Sequence, residues 1–493
     1  MKDLVAVILA AGQGTRMYSG LPKVLHTVAG HPMLDHVLSA IEALEPAKIV
    51  VVTGFMGEMV ERHVGRRAVC VRQDKRLGTA HAVRMALPEI KDFQGTALVT
   101  VGDAPLIQTQ TLRELIKRRK AHHVAATVLT AEMEEPTGYG RIVRNRDATV
   151  RKIVEEKDTN SYEAVIKEIN TGIYAFDCQK LIAALAKVRA NNAQKEYYLT
   201  DTVEILNGMD EEVEPVLFGD PTETMGINSR AELARAEGLL RRRIARAVMD
   251  SGVTVIDPAT TYIDKQVKIG RDSVIRPFTI LQGKCEIGPG CDVGPHATIV
   301  ESTLGEGCHV RLCHIEHASL GQRVSVGPFA SVRPGSRVRD EARIGSFVEV
   351  TRSDVGPGSD ILHLSYIGDA VIGPRSSVGA GSVTVNFDGR QKHETHIGSD
   401  VFLGTNTSLV APVDIADGSR FAHNEVLTGK LGEGPITPAG PKAGAANGMP
   451  PGGRRRSVGN AQGRSLRPTA KAGDESGRKR RSPGTVSSNG KKK

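Results

Sequence analysis

The sequence has no tryptophan, and aromatic residues make up only 4% of it. For most of its 493 residues that excludes an interior built on large rings. No apolar run approaches the roughly 20 residues needed to cross a bilayer, so no membrane span is expected. The one signal-like stretch, Leu4–Ala11, is short, follows Asp3, and runs into a Gly-rich loop with Arg16. It reads as a buried first strand rather than a secretion signal. Six cysteines in so long a chain, with no repeating two-residue gap, exclude a disulfide framework. The expectation is a cytoplasmic protein.

A positive excess is also missing from most of the chain, although the formal net charge is +9. Residues 431–493 hold 14 of the 65 Lys/Arg and 3 of the 56 Asp/Glu, a net of +11. Residues 1–430 keep 51 basic and 53 acidic residues, a net of −2. The body therefore needs no nucleic-acid partner. The tail has no aromatic residue, 13 Gly and 7 Pro. It is too poor in apolar residues to offset its ordering entropy and is expected to be a disordered basic tail.

What is present falls into two grammars. Over 1–228, short apolar runs alternate with helical stretches. Val5–Leu9, Lys48–Thr53, Ala97–Val101, Val124–Leu129 and Ile173–Phe176 read as strands; Pro32–Leu44, Thr79–Leu87 and Thr109–Ala121 read as helices. That alternation predicts a mainly parallel, Rossmann-like α/β domain with its ligands beyond the C-terminal strand ends. Residues 229–252 predict a linking helix: Ser229 and Glu232 have capping-box spacing, and Leu233, Leu240, Ile244 and Val248 recur at helical intervals. Arg241, Arg242, Arg243 and Arg246 fall mostly off that stripe and read as a solvated face.

From 253 to 430 the unit is an aliphatic residue followed by Gly, as at Ile287, Val293, Leu304, Leu320, Val326, Ile344, Val378 and Leu403. Gaps of six and near-multiples of six predict a parallel β-helix of hexapeptide repeats. The aliphatic residue should point inward and the Gly should permit the turn. A coil interior that narrow accounts for the missing aromatics.

The first strand runs into Ala10, Ala11, Gly12, Gln13, Gly14, Thr15, Arg16 and Met17, with Leu21, Pro22 and Lys23 following. Small residues let backbone N–H groups approach phosphate oxygens, and Arg16 and Lys23 add positive charge. No Gly-Lys-Ser/Thr follows, so this is not a Walker loop, and Met17 spoils a dinucleotide fingerprint. Cys308-His309 and Cys313-His314 have soft-ligand spacing, but buried β-helix cysteines are the simpler reading over zinc. His122-His123 reads as an exposed helix end.

LAAGQGTRM followed by LPK resembles the signature of the sugar-phosphate nucleotidyltransferases. Joined to a linking helix and a β-helix, the chain resembles the family of bacterial bifunctional GlmU enzymes from residue 4 to about 413. The strings PTGYGRI (136–142), EINTGIYAF (168–176), NNAQKEYYLTD (191–201), GPFASVRPG (327–335), HLSYIGDA (363–370) and LVAPV (409–413) carry that resemblance. It implies a left-handed β-helix, a homotrimer, and two activities in cell-wall precursor synthesis: N-acetylglucosamine-1-phosphate uridyltransferase and glucosamine-1-phosphate acetyltransferase. UTP and amino-sugar 1-phosphates are the implied substrates, with Mg²⁺ as cofactor and acetyl-CoA as co-substrate.

The resemblance implies that Leu9, Ala10, Ala11, Gly12, Gln73, Gly78 and Thr79 hold the uridine nucleotide. Gly140, Glu155 and Asn170 would hold the sugar and its N-acetyl group, and Asp103 and Asn228 would ligate Mg²⁺. Arg16 and Lys23 would neutralise charge on the leaving pyrophosphate. In the β-helix, His363 takes the place of the general base, Arg333, Tyr366 and Ser377 the sugar-phosphate site, and Ala380, Asn386, Phe387 and Thr405 the acetyl-CoA site. Lys392 could add charge there.

The chain departs from the family's pattern mainly in this second half. Thr351 stands where a phosphate-binding Lys is expected, with Arg352 following on what strand alternation makes the opposite face. Ser377 replaces Asn, Phe387 replaces Tyr, Thr405 replaces Ser and His423 replaces a small Ala. The last expected Arg falls on Gly440, within a Pro/Gly-rich stretch. Two readings of the β-helix follow: a working acetyltransferase, or a trimerisation module beside a monofunctional sugar-1-phosphate nucleotidyltransferase.

Overall fold

The computed structural model describes residues 1–217 and 219–432. The expected basic tail lies outside the described residues but for Leu431 and Gly432. The first sheet runs in the spatial order Val213–Leu217, Ala126–Glu132, Glu168–Asp177, Thr96–Val101, Leu4–Ala10, Lys48–Thr53, Val69–Arg72. The five predicted strands are all present. Glu168–Asp177 departs from a parallel arrangement: it pairs antiparallel to both neighbours. The strand Leu4–Ala10 is buried almost throughout, as a near-continuous apolar run requires of a strand covered on both faces. The helices Met33–Glu42 and Thr109–His122 cover one side; Thr79–Met85 and Cys178–Lys187 cover the other.

The linking helix spans Arg230–Asp250 and opens with the predicted capping box between Ser229 and Glu232. Its apolar stripe serves two partners in turn. Leu233 and Leu240 pack with Val28, Met33 and Ile227 of the first domain, while Ile244 and Val248 pack against the β-helix core. The arginines are not a purely solvated face. Arg241 pairs with Glu237 and lies 3.4 Å over the Tyr262 ring, and Arg243 donates to the Leu106 carbonyl.

From Thr254 onward, each short strand stacks in parallel register on its equivalent one coil later. One interior column reads Ile275, Val293, Val310, Val326, Ile344, Ile361, Val378, Leu403, all buried. These coils form a left-handed parallel β-helix of hexapeptide repeats. Most of the glycines after an inward aliphatic have a different reason from the one expected, although Gly294 and Gly327, at φ +99° and +100°, do take the conformation that favours glycine. A Cβ at Gly345 would lie 2.0 Å from the Leu362 carbonyl, and one at Gly379 2.5 Å from Gly404. These glycines are required by the close approach of the next coil, not by turn dihedrals. Most left-handed corners fall on other residues, including Asp272, Glu341, Phe347 and Leu364.

Candidate active sites on the two domains

The loop after the strand Leu4–Ala10 and the ends of the neighbouring strands enclose a cleft of about 270 Å³. Leu9, Ala10, Ala11, Gly12, Lys23, Gln73, Gly78, Thr79 and Asp103 all line it. The strand ends bring them together: Gly102 N donates to the Leu9 carbonyl and Gln73 N to the Thr53 carbonyl. Gly78 takes φ +107°, and a Cβ there would meet the Tyr197 carbonyl at 2.5 Å, so only glycine fits this corner.

At the floor, Lys23 Nζ pairs with Asp103 Oδ2 and donates to Asn228 Oδ1 at 3.0 Å. Asn228 is held by its own backbone N–H, which donates to Glu232 of the capping box. Asp103 and Asn228 thus present two oxygens converging on one cation, here an ammonium. An all-oxygen donor pair of this kind fits a hard divalent ion whose other ligands come from phosphate and water.

A second patch adjoins the cleft. Asn170 N donates to the Gly140 carbonyl, and Asn170 Oδ1 accepts from Gly172 N at 3.1 Å. A Cβ on Gly172 would stand 3.3 Å from Val101 in the cleft wall. Glu155 accepts from Thr200 Oγ1 at 3.1 Å, and burial pushes its carboxyl pKa up. Asp201 next to Thr200 is pushed up to about 6, by burial first and by Glu155 second.

Arg16 does not join these groups; its side chain is exposed and outside the cleft lining. Arg76 lines the cleft instead, with its guanidinium 2.8 Å from Gln13 Oε1. Sequence reasoning missed Arg76, Glu196 and Arg230. Arg230, at the start of the linking helix, donates to the Met17 carbonyl and contacts His26, tying the glycine-rich loop to the helix that Asn228 precedes. Its place directly after Asn228-Ser229 was the available signal.

On the β-helix, His363 ends the strand Asp360–His363 with its imidazole exposed. Gly381 N donates to the His363 carbonyl, Asn406 N to the Ala380 carbonyl, and Asn424 N to the Thr405 carbonyl. His363, Ala380, Thr405 and His423 therefore belong to one corner on successive coils. His423 Nδ1 accepts from Thr405 N at 3.0 Å, so the imidazole covers that backbone donor. Ser377 lies one coil above Asp360, in register with it.

Arg333, Glu349, Tyr366 and Asn386 gather on a neighbouring face. Arg333 Nε is 3.8 Å from Glu349, and Glu349 is in register with Tyr366. A Cβ on Gly368 would meet Tyr366 Oη at 2.5 Å and Asn386 Nδ2 at 2.7 Å, so both side chains lie over that glycine. Phe387 is exposed and bridges to Lys392.

Strand alternation misplaced Arg352. Thr351 is buried, and Arg352 sits at a corner with φ +49°, where alternation stops. Its guanidinium reaches Tyr366 and makes a two-pronged pair with Asp369 at 2.6 and 2.8 Å. Cys308 and Cys313 are buried while His309 and His314 face outward; no cluster of three or more metal-ligating residues occurs among the described residues. A larger hollow of about 530 Å³ lies on earlier coils, by Arg276, Asp292, His309 and Arg311, and contains none of the predicted site residues.

The two halves thus define a nucleotidyltransferase domain joined to a hexapeptide-repeat transferase domain. The family model described as a MobA-like NTP transferase domain matches residues 6–202, and that of the bacterial transferase hexapeptide (six repeats) matches 266–300. Among curated relatives, the "Bifunctional protein GlmU" of Geobacillus sp. (strain WCH70) is 46% identical over 432 residues, covering 88% of this chain and 94% of the relative. That of Geobacillus thermodenitrificans (strain NG80-2) is 48% identical, covering 86% and 92%. That of Listeria monocytogenes serovar 1/2a (strain ATCC BAA-679 / EGD-e) is 44% identical, covering 87% and 94%. The chain belongs to the bifunctional GlmU family.

Proposed function

We propose that the first domain transfers a uridylyl group from UTP to N-acetylglucosamine-1-phosphate, giving UDP-N-acetylglucosamine and pyrophosphate. The β-helix makes the acceptor by acetylating glucosamine-1-phosphate with acetyl-CoA. The observation that carries this reading is the convergence of Lys23, Asp103 and Asn228 beneath the Leu9–Gly12 loop.

The protein supplies no nucleophile to the first reaction. A sugar-phosphate oxygen attacks the α-phosphorus and pyrophosphate leaves. Backbone N–H groups of the loop approach the phosphates, Gln73, Gly78 and Thr79 hold the nucleotide, and Gly140, Glu155 and Asn170 hold the sugar. Lys23 neutralises charge gathering on the leaving group, and Arg16 would have to swing inward to share that work. Asp103 and Asn228 would hold Mg²⁺, which when bound supplies charge compensation on the phosphate oxygens. In the second reaction His363 accepts the proton of the sugar amine as the amine nitrogen attacks the thioester carbon; the C–S bond then breaks, and the departing CoA thiolate takes up a proton. Arg333, Tyr366 and Ser377 hold the sugar phosphate, and Ala380, Asn386, Phe387 and Thr405 face acetyl-CoA.

We assign the protein to the cytoplasm, as a homotrimer through the β-helix. The exposed Phe329, Phe347 and Leu364 on one edge favour burial by another copy. Among the described residues no helix is long and apolar enough to cross a membrane. Pyrophosphate release from UTP plus N-acetylglucosamine-1-phosphate tests the first activity; its absence would overturn the reading.

A further inference from the structure

We propose that His81, acting with the Gly78 carbonyl, sharpens which base the nucleotide cleft accepts, by holding the second N–H of the Gln73 side-chain amide and so locking its orientation. The inference rests on the assignment of Gln73 to the nucleotide. Gln73 is almost fully buried, lines the cleft, and makes two side-chain hydrogen bonds, both through Nε2. One goes to the Gly78 carbonyl at 3.1 Å and one to His81 Nδ1 at 2.9 Å.

The chemistry of the partners decides the orientation. A backbone carbonyl can only accept, so the amide edge facing Gly78 is the NH₂ group. Gly78 cannot readily turn away, because its φ of +107° and its contact with Tyr197 hold it in place. The second N–H then needs a lone pair, which His81 offers at Nδ1 with its own proton on Nε2. Burial, with the Arg84 cation second, pushes the His81 pKa down and keeps that lone pair free.

One polar atom of Gln73 remains. Among the described residues no hydrogen bond reaches Oε1. That atom is a fixed acceptor at the cleft wall, matched to a pyrimidine whose ring nitrogen N3 carries a hydrogen. Uracil has that hydrogen. Cytosine presents a lone pair at N3 and would meet Oε1 acceptor to acceptor. A site built around a polar atom that only one base can satisfy rejects the other strongly. His81 touches no substrate atom in this account; it is a positioning residue.

The test is the ratio of kcat/KM for UTP to that for CTP, with binding constants for both nucleotides measured separately. His81→Ala removes the acceptor, and His81→Phe removes it while keeping ring volume. Each is expected to lower the UTP:CTP ratio about three- to tenfold, the range of one net hydrogen bond. His81→Asn, which can place an oxygen near the Nδ1 position, should keep the ratio within about twofold of wild type. Equal losses for both nucleotides in the Ala and Phe variants, leaving the ratio unchanged, would show a structural role and overturn the proposal. If the wild type itself binds UTP and CTP equally, the assignment of Gln73 fails first, and this inference with it.

Discussion

Lys23 Nζ reaches Asn228 Oδ1 at 3.0 Å although 205 residues separate them, and the same nitrogen pairs with Asp103. Three distant segments of sequence meet at that nitrogen. A phosphate-bound cation entering the floor of the cleft would meet the same two oxygens.

Asp103→Ala should therefore lower pyrophosphate release about a hundredfold or more, the scale of losing a placed electrostatic group. Asn228→Ala should raise the Mg²⁺ concentration needed for half-maximal rate and leave the UTP binding constant nearly unchanged. Both are read in a pyrophosphate assay across a Mg²⁺ series. Wild-type turnover by Asp103→Ala would remove that carboxylate from the mechanism.

His36 gives a pH dependence of stability. Its Nε2 lies 2.8 Å from the Val28 carbonyl, and burial, outweighing that bond, pushes its pKa from 6.5 down to about 4. Between those values the unfolded chain takes up a proton that the folded chain refuses. The stability involved is complete above pH 6.5 and is lost as pH falls towards 4, by up to roughly 3 kcal/mol. His36→Gln can still donate to Val28 and does not titrate. The urea midpoint of the wild type should fall more steeply than that of the variant between pH 6.5 and 4.5. Parallel curves would contradict this.

The β-helix site offers a test in each direction. Gly368→Ala pushes a methyl into Tyr366 Oη and Asn386 Nδ2 and should lower CoA release at least tenfold, with uridylyl transfer intact. His423→Ala frees the Thr405 N–H and opens that corner, and should lower the acetyl-CoA KM severalfold. Both variants are read by thiol release from acetyl-CoA with glucosamine-1-phosphate.

Much of this is legible in the sequence alone. The glycine-rich loop, Asp103 after its strand and the aliphatic-Gly dyads each follow local rules, and each element stands where those rules put it. Three kinds of feature escaped. Antiparallel Glu168–Asp177 follows from topology, and nothing in its own residues encodes the direction. Arg352 escaped because alternation governs strands and fails at a left-handed corner. Arg76 and Arg230 escaped because an arginine's partners are set by the fold around it; one reaches Gln13 and the other the Met17 carbonyl.

The claim that two coupled activities share this chain is tested most directly by a product spectrum. Glucosamine-1-phosphate, acetyl-CoA and UTP are supplied together, and then with each omitted in turn. All three together should give free CoA thiol, pyrophosphate and UDP-N-acetylglucosamine; leaving out acetyl-CoA should abolish pyrophosphate release, and leaving out UTP should stop the sequence at N-acetylglucosamine-1-phosphate. No thiol above background, with pyrophosphate still released from UTP and added N-acetylglucosamine-1-phosphate, would contradict it and reduce the β-helix to an assembly module.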